Sequence, residues 1–191
     1  MTKKSKGFHD IMLRTLEKIL SVVFFGKVYT KFFEKMTMAE FEMVDIKRSY
    51  RVLHVGCGAV PNTILILAKN VGASFVGIDR DKKAVERARD MVGRYGLGKK
   101  IHIDNGNAVS YPFSGFDVII ISLGVEPREK VFKRIRDESG DNTKIIARKP
   151  WDSMDKIYGK EEFVPIGFKV VKTFNRQDFI KSMLLVKSDP E

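Results

Sequence analysis

The sequence predicts an α/β domain: a seven-stranded, mostly parallel sheet with an antiparallel C-terminal hairpin, preceded by N-terminal helices. Three observations carry that expectation. From Arg51 onward, short apolar runs alternate with segments of helical periodicity, the pattern of parallel strands joined by crossover helices. The run FDVIIIS at 116–122 is apolar almost throughout, as a central strand covered on both faces must be. The last two runs, 169–174 and 179–187, are separated only by the polar turn Asn175-Arg176-Gln177-Asp178, which implies an antiparallel pair at the sheet edge.

Each element has its own justification. Phe8, Ile11, Met12, Leu16, Ile19, Leu20, Val23 and Phe24 recur at helical spacing and predict a helix over 8–25, broken at Gly26. Tyr29, Phe32, Phe33, Met36, Phe41 and Val44 make the apolar face of a second helix over 28–44. Residues 1–48 thus read as a helical arm or lid, and 49–191 as the sheet domain. Strand one is 51–55, and its helix spans 61–69 with Pro61 in the first turn. Strand two is 74–78, followed by a helix over 82–95 with Val85, Ala88, Met91 and Val92 on one face. Strands at 100–103, 116–122 and 144–148 and a helix over 126–138 complete the parallel part.

Composition sets limits on function. Of 191 residues, 35 are Lys or Arg and 24 are Asp or Glu, for a net charge of +11. Such a balance suits RNA, an anionic surface or an acidic ligand, and equally a solvated surface of interspersed charges. The one cysteine, Cys57, rules out an internal disulfide framework. No apolar run reaches the roughly 18 residues of a membrane span, and no cleavage site follows the short apolar stretch near the start, so a cytoplasmic protein is expected.

The stretch from Arg51 to Asp81 carries the chemistry. Gly56 and Gly58 follow strand one and let a ligand approach the backbone, and Asp79 ends strand two, placed to accept both hydroxyls of a ribose. Arg80 adjoins it. A dinucleotide would call for a third glycine under its pyrophosphate, but Ala59, Val60 and Pro61 stand there. The expected cofactor is therefore S-adenosylmethionine, with Gly56, Cys57, Gly58, Asp79 and Arg80 in its site.

From about residue 50 to its end the chain resembles the class I S-adenosylmethionine-dependent methyltransferases, which have a Rossmann-like sheet. The resemblance adds Asn107 and Ala108 as the adenine contact, and Ser122 and Leu123, after strand four, as the place where cofactor and acceptor meet. His54 stands where that family usually carries an acid and joins the cofactor set. The run Val55-Gly56-Cys57-Gly58-Ala59-Val60-Pro61-Asn62-Thr63 and the later FDVIIISLGVEPREKVF are also similar to nicotianamine synthases. Those enzymes move the aminocarboxypropyl group of the same cofactor. With only about 50 residues before the sheet, methyl transfer to a small-molecule acceptor is expected first, aminocarboxypropyl transfer second, and a non-catalytic RNA- or membrane-surface-binding module third.

Ser122-Leu123-Gly124-Val125 replaces the D/N-P-P-Y/F/W run of amino methyltransferases acting on bases, which argues against a base as acceptor. Glu126 is the candidate catalytic residue, a carboxylate able to orient an amine nucleophile. Tyr29, Thr37 and Tyr50 could reach the cofactor from the arm, while Trp151, Tyr158 and Phe163 could wall an acceptor pocket. His9, His54 and His102 lack metal-ligand spacing, so no metal is expected.

Overall fold

The computed structural model describes residues 27–151 and 164–188, with side chains from residue 31. The helix expected over 8–25, the Tyr29 side chain, Tyr158 and Phe163 lie outside the described residues. The chain divides into two compact units, 1–35 and 36–191. The boundary falls within α1, Lys27–Phe41.

Seven strands form one sheet: β1 Arg51–Val55, β2 Ser74–Asp79, β3 Ile101–Asn105, β4 Val118–Ile121, β5 Lys144–Pro150, β6 Phe168–Asn175 and β7 Ile180–Lys187. Their spatial order is β3-β2-β1-β4-β5-β7-β6. The first five are parallel, and β7 runs antiparallel to both β5 and β6. The expected fold class is therefore observed. β1, β2 and β4 are buried along nearly their whole length, which explains their mainly apolar sequences. β6, an edge strand, is exposed at most positions and carries lysines.

The sheet separates two apolar layers. On one face Val52, Phe75, Ile120 and Ile146 pack with Phe41 and Val44, with Ile64 and Leu67 of α2 (Asn62–Asn70), and with Val85, Ala88 and Val92 of α3 (Lys82–Arg94). On the other, Leu53, Val55, Ile119, Ile121 and Ile145 pack with Val131, Phe132 and Ile135 of α4 (Arg128–Glu138). The alternation along β1 assigns Val52 and His54 to the first face, Leu53 and Val55 to the second.

Some boundaries differ from the expected ones. α4 starts at Arg128 rather than Glu126, because a residue preceding proline is disfavoured in the helical region and Pro127 occupies the cap position. Glu126 instead turns its carboxylate back to accept from the Arg128 N–H at 3.2 Å. α1 ends at Phe41, three residues before the expected 44, and an irregular turn carries Val44 into the core. β4 is confined to Val118–Ile121, the stretch in parallel register with both β1 and β5, so Phe116 and Ser122 flank it. Met91 is half-buried, on the flank of the α3 core face.

Candidate active site

The chain steps outward from β1 to β2 and β3, then returns to the opposite side of β1 with β4. That reversal leaves a crevice at the carboxyl ends of the strands. Register brings the loops together there: Val55 pairs with both Ile78 and Ile121, and Asp79 with Asn105. The cleft encloses about 400 Å³, including space open to solvent, and is lined by Val55–Gly56, Asp79–Arg80, Gly106–Ala108 and Gly124–Glu126.

The glycine loop is tied down hard. The N–H groups of Gly56 and Cys57 both donate to the Ile78 carbonyl, at 2.9 and 3.0 Å. Gly56 has φ +71°, and a Cβ there would come within 2.9 Å of Val125 Cγ2, so a side chain would be strained and would collide. Gly58, at φ +69°, donates its N–H to Asp79 Oδ2 at 2.9 Å. Asp79 Oδ1 accepts from the Asp81 N–H at 3.0 Å. The carboxylate is thus oriented by two backbone donors, while each oxygen keeps a lone pair for a further partner. Asn105 Nδ2 donates to the Asp79 and Arg80 carbonyls at 3.0 and 3.2 Å, fixing the β2 end to β3.

Among the residues expected in the site, Gly56, Asp79, Arg80, Asn107, Ala108 and Glu126 line this cleft; His54, Cys57, Gly58, Ser122 and Leu123 do not. Asn107 Oδ1 accepts from its own Val109 N–H at 3.1 Å, so the amide stabilises its turn as well as facing the cleft. Cys57 points into the core beside Gly77, and burial, with the nearby Asp79 charge, pushes its thiol up to about 12. Its thiol is inert at neutral pH. Thr37 is buried and Tyr50 packs against the core. Trp151 stacks edge-on against Phe179 with ring centroids 5.1 Å apart and donates Nε1–H to the Ile180 carbonyl.

Beside the β1 and β4 ends, on the α1–α2 face, lies a polar network that the sequence reading missed. Glu40, fully buried, accepts from Arg148 Nε and Nη2, both at 2.8 Å, from Arg176 Nη1, and from Ser182 Oγ at 2.6 Å. Arg148 Nη1 donates to Thr63 Oγ1 at 3.0 Å, and Arg176 pairs with Asp178. Burial alone would raise the Glu40 pKa; the charge and hydrogen bonds of Arg148, with Arg176 and Ser182, outweigh it and hold the group at about 2. Two formal positive and two negative charges balance the cluster.

His54 sits against this network. It is 3% exposed, and Nε2 lies 2.8 Å from Ser122 Oγ. Burial, reinforced by the Arg148 charge, lowers its pKa from 6.5 to about 3, so the imidazole is neutral at pH 7. The unfolded chain takes up this proton below pH 6.5 and the folded one only near pH 3. Stability from His54 is therefore complete above pH 6.5 and drains away as pH falls toward 3, by about 1.4 kcal/mol per unit on the steep part. Denaturant unfolding at pH 7.5, 6 and 5 should show that slope, and His54→Gln should flatten it. An unaltered slope in the variant would remove His54 as the cause.

Residues 52–137 match a family described as "Methyltransferase domain". Over those residues the chain resembles the class I S-adenosylmethionine-dependent methyltransferases. An L-histidine 2-aminobutanoyltransferase of Pseudomonas aeruginosa is 31% identical over 111 residues, 57% of this chain and 42% of that protein. The chain thus matches less than half the length of this curated relative. In fold it is similar to a nicotianamine synthase, MtNAS, in complex with S-adenosylmethionine, at TM-score 0.70 and 20% identity over 90% of this chain and 66% of that one. An RNA methyltransferase from Salinibacter ruber in complex with S-adenosyl-L-homocysteine gives TM-score 0.66 and 15% identity, over 82% of this chain and 93% of that one. Among the described residues no helix is long and apolar enough to cross a membrane.

Proposed function

We propose that the protein is an S-adenosylmethionine-dependent transferase acting on a small-molecule acceptor. The observation that carries this is Asp79: a carboxylate oriented by the Gly58 and Asp81 N–H groups at the mouth of a glycine-lined cleft, where it can accept both ribose hydroxyls. Gly56 would admit the ligand's closest approach, and the turn at Gly106–Ala108 would border the adenine. The sulfonium supplies an activated carbon. In the transfer, an acceptor lone pair forms a bond to that carbon, the carbon–sulfur bond breaks with its electrons going to sulfur, and the acceptor then loses a proton. Glu126, exposed at the cleft edge, is placed to orient the acceptor.

Methyl transfer is the first reading, supported by the family match over 52–137. Transfer of the cofactor's amino-acid chain is the second, favoured by the likeness to an aminobutanoyltransferase and a nicotianamine synthase. Both reactions use one sulfonium, and the carbon presented to the nucleophile decides between them. Incubation with S-adenosylmethionine and amine or amino-acid pools should yield an enzyme-dependent nucleoside detectable by mass spectrometry. S-Adenosylhomocysteine is the expected product; methylthioadenosine would establish the second reading and eliminate the first.

A further inference from the structure

The His54–Ser122 pair feels the charges of the polar network and has one atom without a partner. His54 Nδ1 is buried without a hydrogen-bond partner among the described residues. An N–H there would be an orphaned buried donor, the rarer and costlier case; a lone pair there is tolerated better. The proton of the neutral ring therefore belongs on Nε2, where it donates to Ser122 Oγ across 2.8 Å. That leaves the Ser122 O–H free to donate elsewhere, and His54 is the one side-chain partner of Ser122 among the described residues.

The position of Ser122 says what it would meet. It is half-buried at the end of β4, and a Cβ built on Gly56 would lie 3.4 Å from Ser122 Cβ and 3.9 Å from its Oγ. Asp79 and Asn107 border the cleft from β2 and β3 and Gly56 from β1, so a nucleoside whose ribose meets Asp79 would run its 5′ end past Gly56 toward Ser122, which stands just behind the cleft lining. We propose that the Ser122 hydroxyl, held as a donor by His54, binds the carboxylate at the amino-acid end of the cofactor. This rests on the S-adenosylmethionine reading and assigns one end of that ligand. His54 acts through Ser122 as a positioning residue.

The test compares two nucleosides that differ in that end: S-adenosylhomocysteine carries the carboxylate, methylthioadenosine does not. Calorimetric titration of the full chain with each should show Ser122→Ala weakening S-adenosylhomocysteine about tenfold or more and leaving methylthioadenosine unchanged. His54→Leu should do the same, whereas His54→Gln, whose amide offers a donor where Nε2 stood, should retain affinity for both. Unchanged methylthioadenosine binding also reports that each variant folds. Equal loss for both nucleosides in Ser122→Ala, or no loss for S-adenosylhomocysteine, overturns the assignment. If the unaltered protein binds neither, the cofactor reading itself falls.

Discussion

Asp79→Ala is expected to weaken S-adenosylmethionine and S-adenosylhomocysteine binding by about 100-fold or more. Hydrogen bonds to a charged acceptor are worth about 1.5–3 kcal/mol each, and this carboxylate can accept one from each ribose hydroxyl. The substitution also frees the Gly58 and Asp81 N–H groups, which now hold Asp79 at 2.9 and 3.0 Å, so the glycine loop loses its side-chain anchor at Gly58 and keeps only the Gly56 and Cys57 bonds to the Ile78 carbonyl. Asp79→Asn separates the two effects. One amide oxygen can still take a backbone donor, so the loop should stay in place while part of the ribose contact is lost. Thermal shift with saturating S-adenosylhomocysteine reads both variants, because a ligand bound only by the folded state raises its melting temperature. Unaltered calorimetric affinity in Asp79→Ala would sink the ribose assignment.

Glu40→Ala should be the most destabilising single substitution in the described chain. It strands two buried guanidiniums, Arg148 and Arg176, and removes the acceptor of Ser182. Breaking a buried pair by deleting one partner costs about 3–5 kcal/mol, a large part of the roughly 5–15 kcal/mol that holds a domain together. For a chain of this size that corresponds to a fall of about 6–20 °C in melting temperature. Glu40→Gln, which keeps one acceptor but abandons the charge, should fall in between. A melting temperature within a degree of the parent for Glu40→Ala would mean that the network contributes no stability. A triple variant with apolar residues at 40, 148 and 176 should recover much of the loss, since the one charge it deprives of its partner, Asp178, is partly exposed and can turn to solvent.

Sequence and structure divide at identifiable residues. Gly56, Gly58 and Asp79 were legible because their roles are local: positive φ after one strand, an acid at the end of the next, one short helix between. The strand sequence was legible for a similar reason, since burial on both faces forces mainly apolar runs in β1, β2 and β4, with His54 the buried polar exception in β1. The start of α4 falls two residues later than the expected Glu126, because helical periodicity in the sequence runs through Pro127 while the backbone restriction that proline imposes is felt only by its neighbour.

The network was not legible, although it left a trace. Glu40 interrupts the apolar stripe that Met36 and Val44 continue one turn to either side, and Arg148 ends the apolar run of β5 while remaining buried. A charge in such a place demands a partner, but the sequence does not say which. The partners of Glu40 stand 108 and 136 residues further along the chain, and that of His54 stands 68 residues away. By itself, then, the sequence determined the strand pattern, the glycine loop and the acid that ends β2, because period and backbone conformation act between near neighbours. Which buried charges meet, and which hydroxyl His54 orients, only the tertiary structure decided: a buried ion must be paired, and the pairing is chosen by where β1, β4, β5 and β7 lie in the sheet.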